Sequence, residues 1–343
     1  RKYDELYVKK IESRYPQNQK KRVVRKKVNP VIIHNVYQCM KDCCSLSEHH
    51  RLSLIRDRKI SLERIEQDYF TCPTNWRQKD TIIARIKEKY PAYTDEILMN
   101  IPGFFYDKKR GKLSFTGHKG LGILIRNSDS RIVAIQIRKD TIQEGDSRYI
   151  WFSSSFATYN PDEYNGGNGC GSPKDVCYPQ MLKKHTLCIT EGRFKSEKLT
   201  ESGNISISVQ GVTSWHGIEE TIKHMKGIHN VFIFFDADIL GKHVLFMQSE
   251  KMIRKIQDEF PGLYIRYAFW SKKNGKGIDD CIIAGNISKV KYYEAKRAAE
   301  ICNDAYTHAL GEYHVANLRE LKQERAKEFE DYLQILTESM LGL

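Results

Sequence analysis

The chain has 343 residues, enough for two or three compact units, and 56 Lys and Arg outnumber 43 Asp and Glu for a formal net charge of +13. That balance suits a polyanionic partner and leaves the fold open. The longest apolar runs are about five residues against the roughly 20 that cross a bilayer, so no membrane partner is expected. Nine Cys in an irregular set point to reduced thiols of a cytoplasmic protein and not to a disulfide framework. No signal peptide is visible, and the start on Arg1 leads to the expectation of a piece excised from a longer protein.

Residues 1–30 hold eleven Lys/Arg against three Asp/Glu, concentrated between Lys20 and Lys27. Such a run is either a phosphate-contacting arm or a solvated linker. Residues 31–100 read as helical. Val31, Ile32, Val36 and Met40 have helix-like spacing as far as about Cys44. Ser47 can cap a second helix through Ile55, Ser61 a third over Leu62 to Tyr69, and a further helix covers Asp80–Tyr90. Cys39, Cys43 and Cys44 lie near His49 and His50 but lack the paired spacing of a zinc site, and no zinc is expected within this chain.

Between residues 101 and 158 the period changes to that of strands. Lys112–Phe115, Gly122–Arg126, Ile132–Arg138 and Tyr149–Phe152 are the predicted strands, with Asn127–Ser130 as a turn. Alternation would bring Arg126 and Arg138 near each other on one surface, as a groove for phosphates or simply as an exposed charged face. Phe156 to Gln180 reads as a long loop around a glycine-rich stretch, Asn165 to Pro173. It lacks the P-loop pattern, and a mobile linker over 159–181 is expected. The N-terminal α+β basic unit is therefore bounded at 31–158.

Residues 182–286 form the centre of the sequence. Thr186–Thr190, Ile205–Val209, Val231–Phe235 and Leu263–Phe269 are short apolar runs alternating with helical segments. Such a pattern predicts an α/β unit with a parallel sheet covered on both faces, whose ligand sits beyond the carboxyl ends of the strands. Glu191, Asp236 and Asp238 all fall there, with Asp279 and Asp280 after the fourth run. Carboxylates gathered at one sheet edge repel one another unless a cation offsets them, and oxygen ligands favour Mg2+ or Mn2+. The plainer alternative is that Asp236 and Asp238 only cap the following helix. Residues 287–343, charged and free of Pro, read as a small helical bundle, with Gly311 separating helices near Lys289–Leu310 and Tyr313–Met340.

At these residues the sequence resembles a known family. Thr190-Glu191-Gly192, Asp236-Ala-Asp238 and the units between them are similar to a TOPRIM domain. Arg58-Lys-Ile-Ser-Leu-Glu-Arg-Ile65 with Tyr69 resembles the start of DnaG-type primase cores. Gly122 to Arg138, Arg148-Tyr-Ile-Trp-Phe-Ser-Ser154, Gly211-Val-Thr213 and Lys276-Gly-Ile-Asp-Asp280 resemble later motifs of the same cores in the same order. The glycine-rich stretch 165–173 and the Glu-Gly-x-x-Lys of residues 191–195 resemble those of the primase-like proteins of plasmids, phages and integrative elements, and the likeness as a whole spans roughly residues 31–285.

The resemblance implies a primase that joins ribonucleoside triphosphates on a single-stranded DNA template and works beside a replicative helicase in mobile-element replication. It implies Mg2+ or Mn2+ held by Glu191, Asp236, Asp238 and Asp280, the first three being catalytic. Arg126, Arg138, Arg148, Lys195, Lys242 and Lys276 would bind template or nucleotide phosphates. One position departs from the pattern: cellular primases carry Asp four residues after the Glu, where this chain has Lys195. A Lys removes a ligand and adds a cation, which leaves one metal or two open. A metal-dependent nuclease and a non-catalytic DNA-binding accessory protein are the alternatives.

Overall fold

The computed structural model describes residues 28–343 apart from Glu144. The basic run Lys20–Lys27 lies outside the described residues. Asn29 starts the first helix, Pro30–Asp42, by accepting the Val31 N–H, and Val36, Tyr37 and Met40 turn into the core. Ser47 and Ser61 cap Glu48–Leu52 and Leu62–Asp68 as their sequence positions predict. His50 is buried with Nε2 2.8 Å from Asp140 and Nδ1 2.8 Å from the Thr71 hydroxyl, so both ring nitrogens are engaged structurally.

The N-terminal unit holds two antiparallel sheets. Strands β1 (Tyr69–Thr71), β4 (Gly120–Arg126), β5 (Ile132–Lys139) and β6 (Tyr149–Trp151) form one, in the order β1-β4-β5-β6. Strands β2 (Phe104–Asp107), β3 (Lys112–Phe115) and β7 (Tyr164–Asn165) form the other. One face of the larger sheet carries Leu124, Ile135 and Ile137 against the helices Pro30–Asp42 and Trp76–Lys89. Its other face carries Leu121, Ile123 and Ala134 against Phe194 of the second unit. A sheet packed on both sides reads as nearly continuous apolar sequence, as this one does.

The second unit is a six-stranded sheet ordered β13-β12-β11-β9-β10-β8. Its four central strands, β9 (Thr186–Thr190), β10 (Ile205–Ser208), β11 (Asn230–Phe234) and β12 (Tyr264–Phe269), are parallel, as expected, and helices cover both faces. The edges are antiparallel: β8 (Asp175–Cys177) and β13 (Lys291–Glu294). Two helices, Ala295–Glu312 and Gln323–Met340, close the chain and pack against each other.

Three expectations are corrected. The segment 159–181 is no free linker, because it supplies β7 to one sheet and β8 to another. Its glycines are tied down, with the Asn168 N–H donating 2.9 Å to the buried Ser154 hydroxyl. The stretch 287–343 is not all helix, since the alternating tyrosines of Lys291–Glu294 add an edge strand. Arg126 and Arg138 do not meet: the antiparallel register pairs Arg126 with Ile132 and Arg138 with Leu121, at opposite ends of the hairpin, roughly 17 Å apart by strand rise. Among the described residues no helix is long and apolar enough to cross a membrane.

Candidate active site between the two sheets

Because the four central strands run the same way, their carboxyl ends share one edge, and that edge opens on the N-terminal sheet. The cleft between them encloses about 790 Å3. Glu191, Gly192, Lys195, Gln210, Gly211, Asp236, Gly277 and Asp279 line one wall. Gln136, Arg148, Tyr149 and Trp151 line the other, with Arg58 beside them. Cross-strand pairing of Gln136 with Trp151 and of Arg138 with Tyr149 sets these four side chains on one sheet face. Gln136 Nε2 donates 2.8 Å to Gln210 Oε1 and so ties the walls together. Gln210 adopts φ 60° and Gly211 φ 115°, a left-handed turn that carries the chain away from β10.

Glu191 follows β9 and accepts the backbone N–H of Asp236 at 2.9 Å, which fixes the ends of two neighbouring strands together. Asp236 makes no side-chain cap to the turn Ala237–Gly241 that follows, so the capping alternative does not hold for it. Lys195 Nζ lies 2.7 Å from Asp236 Oδ1. At that distance the ammonium donates to the buried carboxylate oxygen, a charge-assisted contact. Asp238 pairs with Lys242 at 2.7 Å and Lys276 at 3.6 Å. Of the two acids after Gly277, Asp279 is buried and accepts from Arg58 at 2.9 Å. Asp280 is exposed and accepts the Gly277 N–H at 3.2 Å, which makes it a helix cap. A Cβ on Gly277 would meet Asp279 Oδ1 at 2.4 Å and Lys195 Cε at 2.8 Å, so glycine is what lets these groups close in.

Burial raises the Glu191 pKa, the Asp236 charge adds to the rise and Lys195 opposes it. Burial and Asp280 raise Asp279 against Lys195 and Arg58. Burial works against ionising Asp238, but the hydrogen bond and charge of Lys242, with Lys276, hold it below the usual carboxylate range. Lys195 is held above the ordinary lysine value: burial pulls its ammonium down, and Asp236 and Glu191 outweigh that.

The sequence-predicted basic residues divide. Arg148 and Lys276 are exposed at the cleft, and Lys242 and Lys195 are occupied with acids. Arg126 is 9% exposed and its Nε donates 2.7 Å to Asp68, so it is a structural ion partner and not a phosphate ligand. Arg138 is half-buried, its Nε without a hydrogen-bond partner. Sequence reasoning missed Arg58, Gln136, Gln210, Tyr149 and Trp151 as cleft residues. For Arg58 and the two aromatics the signal was the run of motif positions they occupy. Gln136 lies in such a run too, and Gln210, just before Gly211-Val-Thr213, gave none.

The donor set fits one hard divalent ion held by a carboxylate or two and completed by water and substrate phosphate, the usual manner of Mg2+. Glu191 and Asp236 line the cleft and supply the oxygens, with Asp238 on the turn beyond them engaged by Lys242 and Lys276. It does not fit an all-protein cage, because among the described residues no three acidic, His or Cys side chains are close enough to hold an ion.

A protein-family profile for a domain of unknown function, DUF3854, matches residues 178–288. No curated protein sequence matches the chain. In solved structures, the RNA polymerase domain of Mycobacterium tuberculosis primase DnaG aligns with 88% of this chain and 97% of its own at 14% identity, TM-score 0.55. The chain has the fold of a DnaG primase catalytic core. Zinc-binding and RNA polymerase domains of the Aquifex aeolicus primase match 99% of this chain and 83% of theirs at 12% identity, TM-score 0.52. A DnaG primase catalytic domain bound to single-stranded DNA matches 92% of this chain and 98% of its own at 14% identity, TM-score 0.50. The primase-type fold thus accounts for both units and for their arrangement about the cleft.

Proposed function

We propose that this chain is a primase core that joins ribonucleoside triphosphates into short RNA primers on single-stranded DNA by Mg2+- or Mn2+-dependent nucleotidyl transfer. The observation that carries the reading is the cleft, where carboxylates from separate strand ends share a space of about 790 Å3 with an exposed cation and two aromatic rings. Arg148 is exposed and available to phosphates, and Lys276, also exposed at the cleft, is paired with Asp238 at 3.6 Å. Tyr149 and Trp151 leave one strand on the same side and offer faces on which bases stack. A Cβ on Gly192 would meet nothing within 4 Å, so a substrate can approach the backbone there closely. When bound, the divalent ion supplies charge against the triphosphate and lowers the pKa of the attacking 3′-hydroxyl. Glu191 and Asp236 would hold it, with Asp238 beside them between Lys242 and Lys276, and the Gln136–Gln210 bond keeps the two walls in register.

The likeness to a DnaG domain that binds single-stranded DNA supports that template, and the motif likeness to plasmid, phage and integrative-element proteins supports a role in mobile-element replication beside a replicative helicase. A second reading, a non-catalytic DNA-binding accessory protein, is favoured by the Lys195 contact to Asp236. Incubating the protein with single-stranded template, labelled ribonucleotides and Mg2+ or Mn2+ separates these. Short labelled products are expected. A shortened template indicates a nuclease that uses the same carboxylates, and a gel shift without either product indicates the accessory role.

A further inference from the structure

Five carboxylates crowd this strand edge: Glu191, Asp236, Asp238, Asp279 and Asp280. Four fixed cations touch them: Lys195 on Asp236, Lys242 and Lys276 on Asp238, and Arg58 on Asp279 and Asp280. The site is therefore close to neutral before any ion arrives, with about one negative charge over. One divalent cation suits that remainder, and a second would add charge where no attraction is left.

Lys195 is the fixed cation seated deepest among the acids. Its side chain is 18% exposed, and its Cε, Asp236 Oδ1 and Asp279 Oδ1 all border the space that a Cβ of Gly277 would take. Arg58, stacked over the Phe194 ring at 5.0 Å, holds the far side of Asp279. Glu191 has no cation in contact and accepts a backbone N–H instead.

We infer that the Lys195 ammonium is a built-in cation of the site, pinning Asp236 beside Asp279 so that the acidic edge takes up one exchangeable divalent ion and not a pair. This rests on the nucleotidyl-transfer reading for the purpose of the ion, but the ion count does not depend on primer synthesis. Unlike a metal, the ammonium is covalently attached, needs no dehydration and is not removed by a chelator.

The test is the number of Mn2+ ions bound per chain, with Mn2+ alone as probe, followed by the electron-spin signal of the free ion on the 343-residue chain. Wild type is expected to bind one. Lys195→Asp, which replaces the ammonium with a carboxylate, is expected to bind two. Lys195→Gln keeps length without charge and is expected to bind its first ion roughly tenfold more tightly, since a neighbouring positive charge has gone. Melting curves of each variant separate these effects from misfolding, and the Gln variant stands if the Asp variant does not fold. Two ions in wild type, or an unchanged count and affinity in both folded variants, overturns the inference alone. No ion in any of the three overturns the metal-dependent reading with it.

Discussion

Arg193 and Lys195 leave the same helix, Arg193–Thr200, two residues apart, and enter opposite surroundings. Arg193 is 3% exposed and spends every guanidinium nitrogen: Nε on Glu197, Nη1 on Asp175 and the Leu124 carbonyl, Nη2 on Asp68 and Glu197. Arg126 also serves Asp68, and Arg64 approaches Glu197 at 3.6 Å, so three cations meet three carboxylates. That cluster joins the helix end at Asp68, the edge strand β8 and the second unit, and it is closed: balanced, buried and hydrogen-bonded. The cleft set is open. Its members face a cleft, Lys276 and Asp280 are exposed there, and one acid, Glu191, has no cation in contact. A closed ion cluster fixes where two units sit; an open one keeps charge in reserve for something that comes and goes.

Breaking the closed cluster should cost the most. Arg193→Leu leaves Asp175 without its guanidinium in the interior and Asp68 with Arg126 alone, and about 3–5 kcal/mol of stability should be lost, read from the denaturant midpoint. Breaking the open one should spare the fold. Asp236→Asn with Asp238→Asn should lower nucleotide incorporation by about two to three orders of magnitude while leaving the melting temperature and the single-stranded DNA gel shift near wild type. Comparable losses of stability in both variants would erase the distinction. Arg148→Ala removes an exposed cleft cation, so binding should weaken alike across sequences and the slope of log affinity against log salt should fall by about 1.

The smallest effect sharpens the contrast through pH. Burial raises the native pKa of Glu191, so its ionised form is disfavoured in the folded state and stability declines as pH climbs from the ordinary glutamate value through the raised one. Gln is neutral throughout. Glu191→Gln should therefore melt about 1–3 °C higher than wild type at neutral pH, with the gain vanishing in acid below the ordinary value. Equal melting temperatures at both pH values would refute it.

What the sequence disclosed follows from range. The runs Thr186–Thr190 and Val231–Phe235 declare strands because both their faces are buried, and the acids just beyond them mark a shared edge once the strands are parallel. Nothing local marks Asp68, Asp175 or Arg193 as interior, since charges are usually solvated and the partners lie 18 to 125 residues apart. β8 and β13 are three and four residues long, too short to show a period amid glycines or beside helices. Arg126 and Arg138 were misjudged because alternation gives a face, whereas hairpin register gives a position along it.

Gln334 sits near the end of the chain, in the helix Gln323–Met340, yet it clasps the Asp238 turn: its Oε1 accepts the Gly241 N–H at 2.8 Å and its Nε2 donates to the Ala237 carbonyl at 3.0 Å. Gly241 has no side chain to keep the two apart; a Cβ there would lie 2.5 Å from the Glu330 carbonyl. A shortened protein ending at residue 322 keeps every acid and every cation of the cleft, and loses the clasp that sets their spacing. The helix Gln323–Met340 therefore acts as an outside brace: the Asp238 turn takes its shape only once those residues have packed, so damage far along the sequence from the strand edge should be felt at the edge itself.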